Sequence, residues 1–132
     1  MIVLDASAAV DWLLHTPAGL RIERRIFSSS ANESLHAPHL IDIEVAQVLR
    51  RLAREGTVSG ARVAQAVQDL LDLRLTRYPH FVLLPRIWQL RNNLSAYDAA
   101  YIALAEQLKA PLITRDSGMT SAPGHAAAIE LF

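Results

Sequence analysis

Four acidic residues interrupt or directly follow apolar stretches of the sequence: Asp5, Glu44, Asp98 and Asp116. An ionised carboxylate placed against a protein core is strongly disfavoured unless it finds a hydrogen bond, a cation or a metal ion. Oxygen ligands, carboxylates above all, are what the hard cations Mg²⁺ and Mn²⁺ prefer. If the fold brings these four side chains together, the sequence predicts a divalent-metal site.

Two of the acids follow short apolar runs that have the character of buried strands. Residues 2–4 run directly into Asp5, and residues 112–114 end two positions before Asp116. Continuous apolar runs of this length are typical of central strands covered on both faces. Ligands of parallel sheets gather at the carboxyl ends of the strands, so Asp5 and Asp116 are expected at the ligand-binding edge.

The other two acids lie on predicted helices. Glu44 shares a face with Ile41 and Val48 in an amphipathic helix over about residues 40–55, because positions three and four apart are neighbours on a helix. Asp98 falls in the first turn of a helix predicted over residues 96–108. Both carboxylates should therefore point toward the core or its edge.

Each acid also has a purely structural explanation. Helix N-termini attract carboxylates through their free amides and their dipole, so Asp5 and Asp116 are able to cap the elements that follow them. Ser95 and Asp98 have the spacing of a capping box, and Glu44 is able to pair with a neighbouring arginine. Capping and metal binding are compatible, so both interpretations stay open for single residues.

Strands and helices alternate along the rest of the chain. Such alternation predicts an α/β sandwich with a mostly parallel sheet, formed by residues 1–132 as a single domain. The remaining expected elements are a helix over 7–14 closed by Pro17 and Gly19, a short helix over 20–28, a strand over 34–37, a helix opening at Ser59, a strand over 81–84, a helix over 85–91 and an edge strand over 128–132.

Composition limits the classes of function. The chain has 132 residues, of which 52% are hydrophobic, and it contains no cysteine, which excludes disulfides, thiolate zinc sites and cysteine nucleophiles. No apolar run approaches the ~20 residues that span a bilayer. A soluble, unprocessed, cytoplasmic protein with no membrane partner is expected. With 13 basic and 13 acidic residues, net charge neither indicates nor excludes a nucleic-acid partner.

In its motifs the sequence resembles the PIN-domain ribonucleases, and most closely the VapC toxins of bacterial toxin-antitoxin pairs. The resemblance covers the full length and rests on four segments: Ile2-Val3-Leu4-Asp5-Ala6-Ser7, Glu44-Val45 with Val48-Leu49-Arg50-Arg51, Ser95-Ala96-Tyr97-Asp98-Ala99-Ala100-Tyr101, and Leu112-Ile113-Thr114-Arg115-Asp116. It implies a PIN-like α/β/α sandwich and an endoribonuclease that depends on Mg²⁺ or Mn²⁺. It also implies an RNA substrate, a cognate antitoxin protein and a homodimer.

The resemblance maps the family's acidic quartet onto Asp5, Glu44, Asp98 and Asp116. We expect Asp5 and Asp98 to bind the metal directly, and Glu44 and Asp116 to complete the shell, order water or hold a second ion. The hydroxyl groups of Ser7 and Thr114 are possible accessory groups, either orienting a carboxylate or contacting the scissile phosphate. Capping or turn formation is the alternative role for both.

Basic and aromatic residues give less specific signals. Two arginine groups are able to contact RNA phosphates, although solvated helix faces are the simpler interpretation: Arg50, Arg51 and Arg54, and Arg86 and Arg91. The aromatic residues are expected to fill the core or an interface rather than to stack on bases: Trp12, Trp88, Tyr97 and Tyr101. An apolar surface including Trp12, Leu13 and Leu14 would suit an antitoxin helix.

Several other functions have the same first strand followed by an aspartate. A haloacid-dehalogenase phosphatase needs a second aspartate at position 7, where this chain has Ser7. A phospho-accepting receiver needs paired acids at the first strand and a late lysine, whereas Lys109 precedes Asp116. Two alternatives remain open: a non-catalytic RNA- or protein-binding module of PIN-like fold, and an RNA-processing nuclease unrelated to toxin-antitoxin systems.

Overall fold

A computed structural model describes residues 1–28 and 32–132 of the chain. Within these ranges two helices follow each of the first three strands and one helix follows the fourth, and a 3₁₀ turn over His80–Leu83 precedes the fifth helix. The elements are β1 (Ile2–Leu4), α1 (Ala6–Leu13), α2 (Pro17–Phe27), β2 (Leu35–Pro38), α3 (Ile41–Arg54), α4 (Gly60–Asp72), β3 (Leu75–Tyr78), α5 (Leu84–Gln89), α6 (Ala96–Leu108), β4 (Leu112–Thr114), α7 (Ser117–Ser121) and β5 (Ile129–Leu131).

The strands form one parallel sheet in the order β3-β2-β1-β4-β5. The α/β sandwich expected from the sequence is confirmed, and β5 lies at the edge as predicted. The chain moves outward from β1 through β2 to β3, then returns to the other side of β1 as β4. This reversal of strand order opens a crevice at the carboxyl ends of β1 and β4, where ligands of such sheets bind.

The two central strands are buried because helices cover both faces of the sheet. Helices α1 to α4 pack together and α5 packs with α6, which fits one group on each face of the sheet, as right-handed crossovers require for this strand order. Helix α6 packs on β1, β2 and β4, and its residues from Ala99 to Ala105 are all buried. No helix in the described ranges has the length and apolar character needed to cross a bilayer.

The connection between the first two helices differs from the prediction. Pro17 does not close α1 but begins α2, where Thr16 caps the helix by accepting a hydrogen bond from the amide of Gly19. Proline is favoured at a first helical position because its missing N–H would have no partner there. Gly19 lies against α1: a Cβ atom at this position would be 1.9 Å from the carbonyl oxygen of Asp11.

The strand predicted over residues 81–84 is wrong. The third strand is Leu75–Tyr78, while residues 80–83 form the 3₁₀ turn and Leu84 begins α5. The apolar run that suggested a strand is largely exposed, with Phe81 at 78% and Val82 at 63%. Strand β3 was missed because it pairs with β2 at the sheet edge and only its first residue, Leu75, is buried.

The prediction that Trp12, Leu13 and Leu14 form an exposed apolar surface on the first helix is also wrong. Trp12 is 8% exposed and Leu13 is 6% exposed, so both belong to the core, and Leu14 is partly buried against it. The indole of Trp12 meets the edge of the Phe27 ring, with centroids 6.2 Å apart. Phe27, at the end of α2, is the exposed member of this pair, at 70%.

Candidate functional site

Asp5 lies at the carboxyl end of β1 and caps α1, so one carboxylate serves two elements. Its Oδ1 accepts hydrogen bonds from the Ala8 amide at 2.9 Å and the Ser7 hydroxyl at 2.7 Å. Its Oδ2 accepts one from the Thr114 hydroxyl at 2.6 Å. Burial, which leaves Asp5 2% exposed, nevertheless raises the pKa of this carboxyl, and the charge of Asp116 raises it further.

Thr114 connects Asp5 to the last acid of the quartet. Its side chain is completely buried, donates to Asp5 and accepts a hydrogen bond from the Asp116 amide at 2.9 Å. Asp116 caps the short helix α7 by accepting a bond from the Gly118 amide at 2.8 Å. Ser7 accepts from the Arg115 amide at 3.0 Å. The two hydroxyls expected as accessory groups therefore orient Asp5 and tie β1 to the loop after β4.

Glu44 lies in the first turn of α3 and is held by α6. The hydroxyl of Tyr101 donates a hydrogen bond to its Oε1 at 2.7 Å, so its partner is a tyrosine and not the arginine considered from the sequence. Burial raises the pKa of Glu44, the Tyr101 hydrogen bond opposes this rise, and the charges of Asp98 and Asp5 add to it. Tyr101 itself is 1% exposed.

Asp98 lies in the first turn of α6, as predicted, and Ser95 caps that helix by accepting a hydrogen bond from the Asp98 amide at 3.1 Å. Burial raises the pKa of the Asp98 carboxyl, followed by the charges of Asp116 and Asp5. Three of the four acids thus have raised pKa values, in part because their charges repel one another. A bound cation would relieve the part of these shifts that comes from mutual repulsion.

All four acids line one open cleft of about 420 Å³ at the carboxyl ends of the strands. Its walls combine carboxylates with apolar and amide side chains: Asp5, Ala6, Ser7, Ile43, Glu44, Gln47, Val48, Tyr97, Asp98, Tyr101, Asp116 and Met119. Capping and convergence occur together, since Asp5 and Asp116 cap helices while facing this cleft. The expected meeting of the four side chains is therefore present, while their role as metal ligands stays a prediction.

The donor set is chemically suited to a hard divalent cation. It consists of carboxylate and hydroxyl oxygens, which suit Mg²⁺ or Mn²⁺ better than softer metals. Among residues 1–28 and 32–132, no three acidic or histidine side chains lie close enough to enclose an ion by themselves. Direct binding through no more than two of these carboxylates would suit Mg²⁺, which usually takes one or two carboxylates directly and keeps several waters.

Sequence reasoning did not assign Tyr101 to the site, although a signal was present. Tyr101 follows Asp98 by three positions, which places the two side chains on neighbouring parts of one helix face. Tyr97 and Ile43 were also missed as cleft residues. Each directly precedes an acid of the quartet, but sequence alone does not decide whether such residues face the core or the solvent.

A larger groove of about 770 Å³ lies at the opposite, amino end of the strands. Its lining includes Phe27, Leu35 and Leu75, and none of the four acids reaches it. Size alone would favour this groove as a ligand site, but the converging titratable groups and the reversal of strand order both favour the smaller cleft.

The two arginine groups differ in their surroundings. Arg86 forms a two-pronged ion pair with Glu106, at 2.9 and 3.1 Å, and the Arg91 guanidinium lies 4.7 Å from the centre of the Trp88 ring. These contacts give both side chains a structural role. Arg50, Arg51 and Arg54 are exposed on α3, and RNA contact by them stays a prediction.

Comparison with known proteins gives matches along nearly the whole chain. Residues 2–124 match the family model of the PIN domain. Ribonuclease VapC9 of Mycobacterium tuberculosis is 47% identical over 116 residues, covering 88% of this chain and 86% of that protein. Ribonuclease VapC12 of the same organism is 41% identical over 131 residues, covering 99% and 98% of the two chains.

Solved structures share the fold at lower sequence identity. Mycobacterium tuberculosis VapC20, described as a sarcin-ricin loop cleaving toxin, matches with a TM-score of 0.66 at 14% identity, covering 96% of this chain and 97% of that one. VapBC2 from Rickettsia felis, bound to a DNA fragment from its promoter, matches with a TM-score of 0.66 at 14% identity, covering 99% and 98%. At this identity the likeness concerns the fold alone.

Proposed function

The chain belongs to the PIN-domain family, and from that premise we propose that it is an endoribonuclease, the toxin of a toxin-antitoxin pair, dependent on Mg²⁺ or Mn²⁺. The observation that carries the proposal is the convergence of Asp5, Glu44, Asp98 and Asp116 in one cleft, in a chain 41% identical over 131 residues to a ribonuclease. Four separate segments supply these acids, which is more than helix capping requires.

Hydrolysis of a phosphodiester needs a nucleophilic water and relief of the charge that develops on the phosphate and the leaving group. A bound divalent ion supplies both by making water more acidic and by balancing negative charge. Asp5 and Asp98 would hold it directly, and Glu44 and Asp116 would hold its waters. The chain's own contribution is to fix these carboxylates: Thr114 and Ser7 orient Asp5 through both of its oxygens.

The test is cleavage of an unstructured RNA by the purified protein in Mn²⁺ or Mg²⁺. We expect cleavage that stops when EDTA is added and that Asp5→Asn abolishes. Asp69→Asn, a carboxylate on α4 that accepts a bond from Gln65, is the matched control and should leave cleavage unchanged. Cleavage that persists in EDTA would reject metal dependence, and full activity of Asp5→Asn would reject the site.

A second measurement tests the metal without activity. Because binding to the folded state stabilises it, Mn²⁺ should raise the melting temperature of the wild-type protein and of Asp69→Asn, but not that of Asp98→Asn. A melting temperature of the wild type that ignores both Mn²⁺ and Mg²⁺ would contradict a shared metal site.

The antitoxin and the homodimer are part of the same proposal. Relatives of this chain are named as VapC ribonucleases, and the structural matches include the toxin-antitoxin complex VapBC2. A small reading frame for a DNA-binding protein beside the gene would support the toxin role, and its absence would favour an RNA-processing nuclease. RNA binding without cleavage in either metal would instead favour the non-catalytic module. Sedimentation of the purified chain tests the dimer.

A further inference from the structure

Two of the four acids are preceded by exposed apolar side chains that share their cleft. Ile43 directly precedes Glu44 on α3 and is 74% exposed, and Tyr97 directly precedes Asp98 on α6 and is 66% exposed. Exposed apolar groups in a concave site that also holds polar groups are typical of ligand contacts. The cleft therefore offers an aromatic ring and an aliphatic side chain beside its carboxylates.

A cleft with four carboxylates repels the phosphates of an approaching nucleic acid. Arg115, which directly precedes Asp116 at this cleft, is engaged within the protein and donates to Asp11 at 2.7 Å. The chain carries no net charge, so long-range attraction to RNA is weak. Contacts with the uncharged faces of the bases would compensate for this, and aromatic stacking is the common form of such contacts.

We propose that Tyr97 is a stacking platform for an unpaired nucleobase next to the phosphate that is cut, with Ile43 contacting the substrate from the α3 wall. The inference rests on the proposed ribonuclease function and adds the side chains that position the substrate beside the acids. A base within a duplex is already stacked on its neighbours, so its face is not accessible to Tyr97. Contact with Tyr97 therefore requires a base that is not paired within a duplex.

The first test is the kinetics of Tyr97 variants on a single-stranded oligoribonucleotide. Tyr97→Ala should raise KM about five- to one-hundred-and-forty-fold, the range for loss of one stacked base, with a smaller change in kcat. Tyr97→Phe and Tyr97→Trp should retain near wild-type KM because the ring remains. Trp88→Ala is the matched control, since Trp88 is equally exposed at 66% but lies outside the cleft lining, and its KM should not change.

The second test measures binding without cleavage. In EDTA, titration of the same oligoribonucleotide into the double variant Tyr97→Trp/Trp88→Phe should quench tryptophan fluorescence more than titration into Trp88→Phe alone, in which the buried Trp12 is the remaining tryptophan. The same RNA annealed to its complement should quench it much less. Equal quenching by both forms would overturn the requirement for an unpaired base.

The outcomes separate this inference from the function on which it rests. If Asp5→Asn abolishes cleavage while Tyr97→Ala retains wild-type KM, the stacking role is rejected and the ribonuclease stands. If the wild-type protein cleaves no RNA, the proposed function fails. Absence of quenching by single-stranded RNA in the tryptophan variant would then reject the base-binding role as well.

Discussion

Replacing Tyr101 with phenylalanine isolates one hydrogen bond that holds the acidic cleft together. The Tyr101 hydroxyl donates to Glu44 at 2.7 Å, while its ring is 1% exposed and packs in the core. Phenylalanine keeps the ring and its packing, so the substitution removes the donor and little else. Glu44 would then lie in a partly buried position without this partner.

The size of the effect follows from the charge and burial of the two groups. A hydrogen bond to an ionised group contributes about 1.5–3 kcal/mol when both partners are buried. Because Glu44 keeps some access to water and the variant no longer buries a hydroxyl, we expect a loss of ~1 kcal/mol in the free energy of unfolding at neutral pH. For a chain of this length, that corresponds to roughly 4 °C in melting temperature.

The loss of stability in Tyr101→Phe should depend on pH, and the structure determines in which direction. The Tyr101 hydrogen bond lowers the pKa of Glu44 against the larger effect of burial, so its removal raises that pKa further. The difference in the free energy of unfolding between wild type and Tyr101→Phe is therefore largest at a pH where Glu44 is ionised. It fades as the pH falls through the raised pKa values of the folded state.

Thermal melts in EDTA from about pH 8 to about pH 4 measure this difference, and a double-mutant cycle with Glu44→Gln tests its origin. In the Glu44→Gln background, the effect of Tyr101→Phe should be smaller and independent of pH. A loss of stability that is equal at both ends of the pH range, or equal in both backgrounds, would refute the assignment of the effect to this hydrogen bond.

In EDTA at neutral pH, Asp98→Asn should melt a few degrees above the wild type, because the raised pKa of Asp98 makes its ionised form unfavourable in the folded protein. Acidification should stabilise the variant less than the wild type. Melting curves recorded against pH check both outcomes. Gly19→Ala should lose about 2–4 kcal/mol of stability in denaturant unfolding, because its Cβ would be 1.9 Å from a carbonyl oxygen of α1, while Gly60→Ala, with nothing within 4 Å, should be neutral or slightly stabilising. Thr114→Val should cost ~1–3 kcal/mol and most of the RNA cleavage, because Asp5 Oδ2 loses its donor, whereas Thr114→Ser should retain activity.

The elements that were predicted correctly are those with a strong local signal. β1 and β4 are continuous apolar runs buried on both faces, and α6 begins at a serine cap and has the bounds predicted for it. Glycine at 56 ends α3 with φ of +73°, a conformation that glycine adopts without strain. In each case the residue types themselves indicate the local structure.

The errors have a common physical origin in tertiary context. An edge strand such as β3 needs little apolar surface, so Leu75 and its neighbours lack the pattern of a buried strand. Conversely, the apolar residues Phe81 and Val82 remain exposed on the 3₁₀ turn. Local composition does not report which hydrophobic residues the fold will cover.

For the site, the sequence supplied the acids but not their hydrogen-bond partners. Asp5 and Asp116 were placed from the rule that ligands gather at the carboxyl ends of strands. The bond between Tyr101 and Glu44 joins residues 57 positions apart, and its existence depends on how α3 and α6 lie against each other. That arrangement is a product of helix packing, which no local pattern encodes.

The bond between Thr114 and Asp5 spans 109 positions, and Asp116 lies further along still. On the ribosome, the first acid emerges long before the segment that completes its surroundings. A nascent chain therefore has no assembled cleft until β4 and Asp116 leave the exit tunnel and β4 pairs with β1. For an enzyme proposed to cut RNA, this order of synthesis means that the first two acids leave the ribosome well before a working catalyst is able to form.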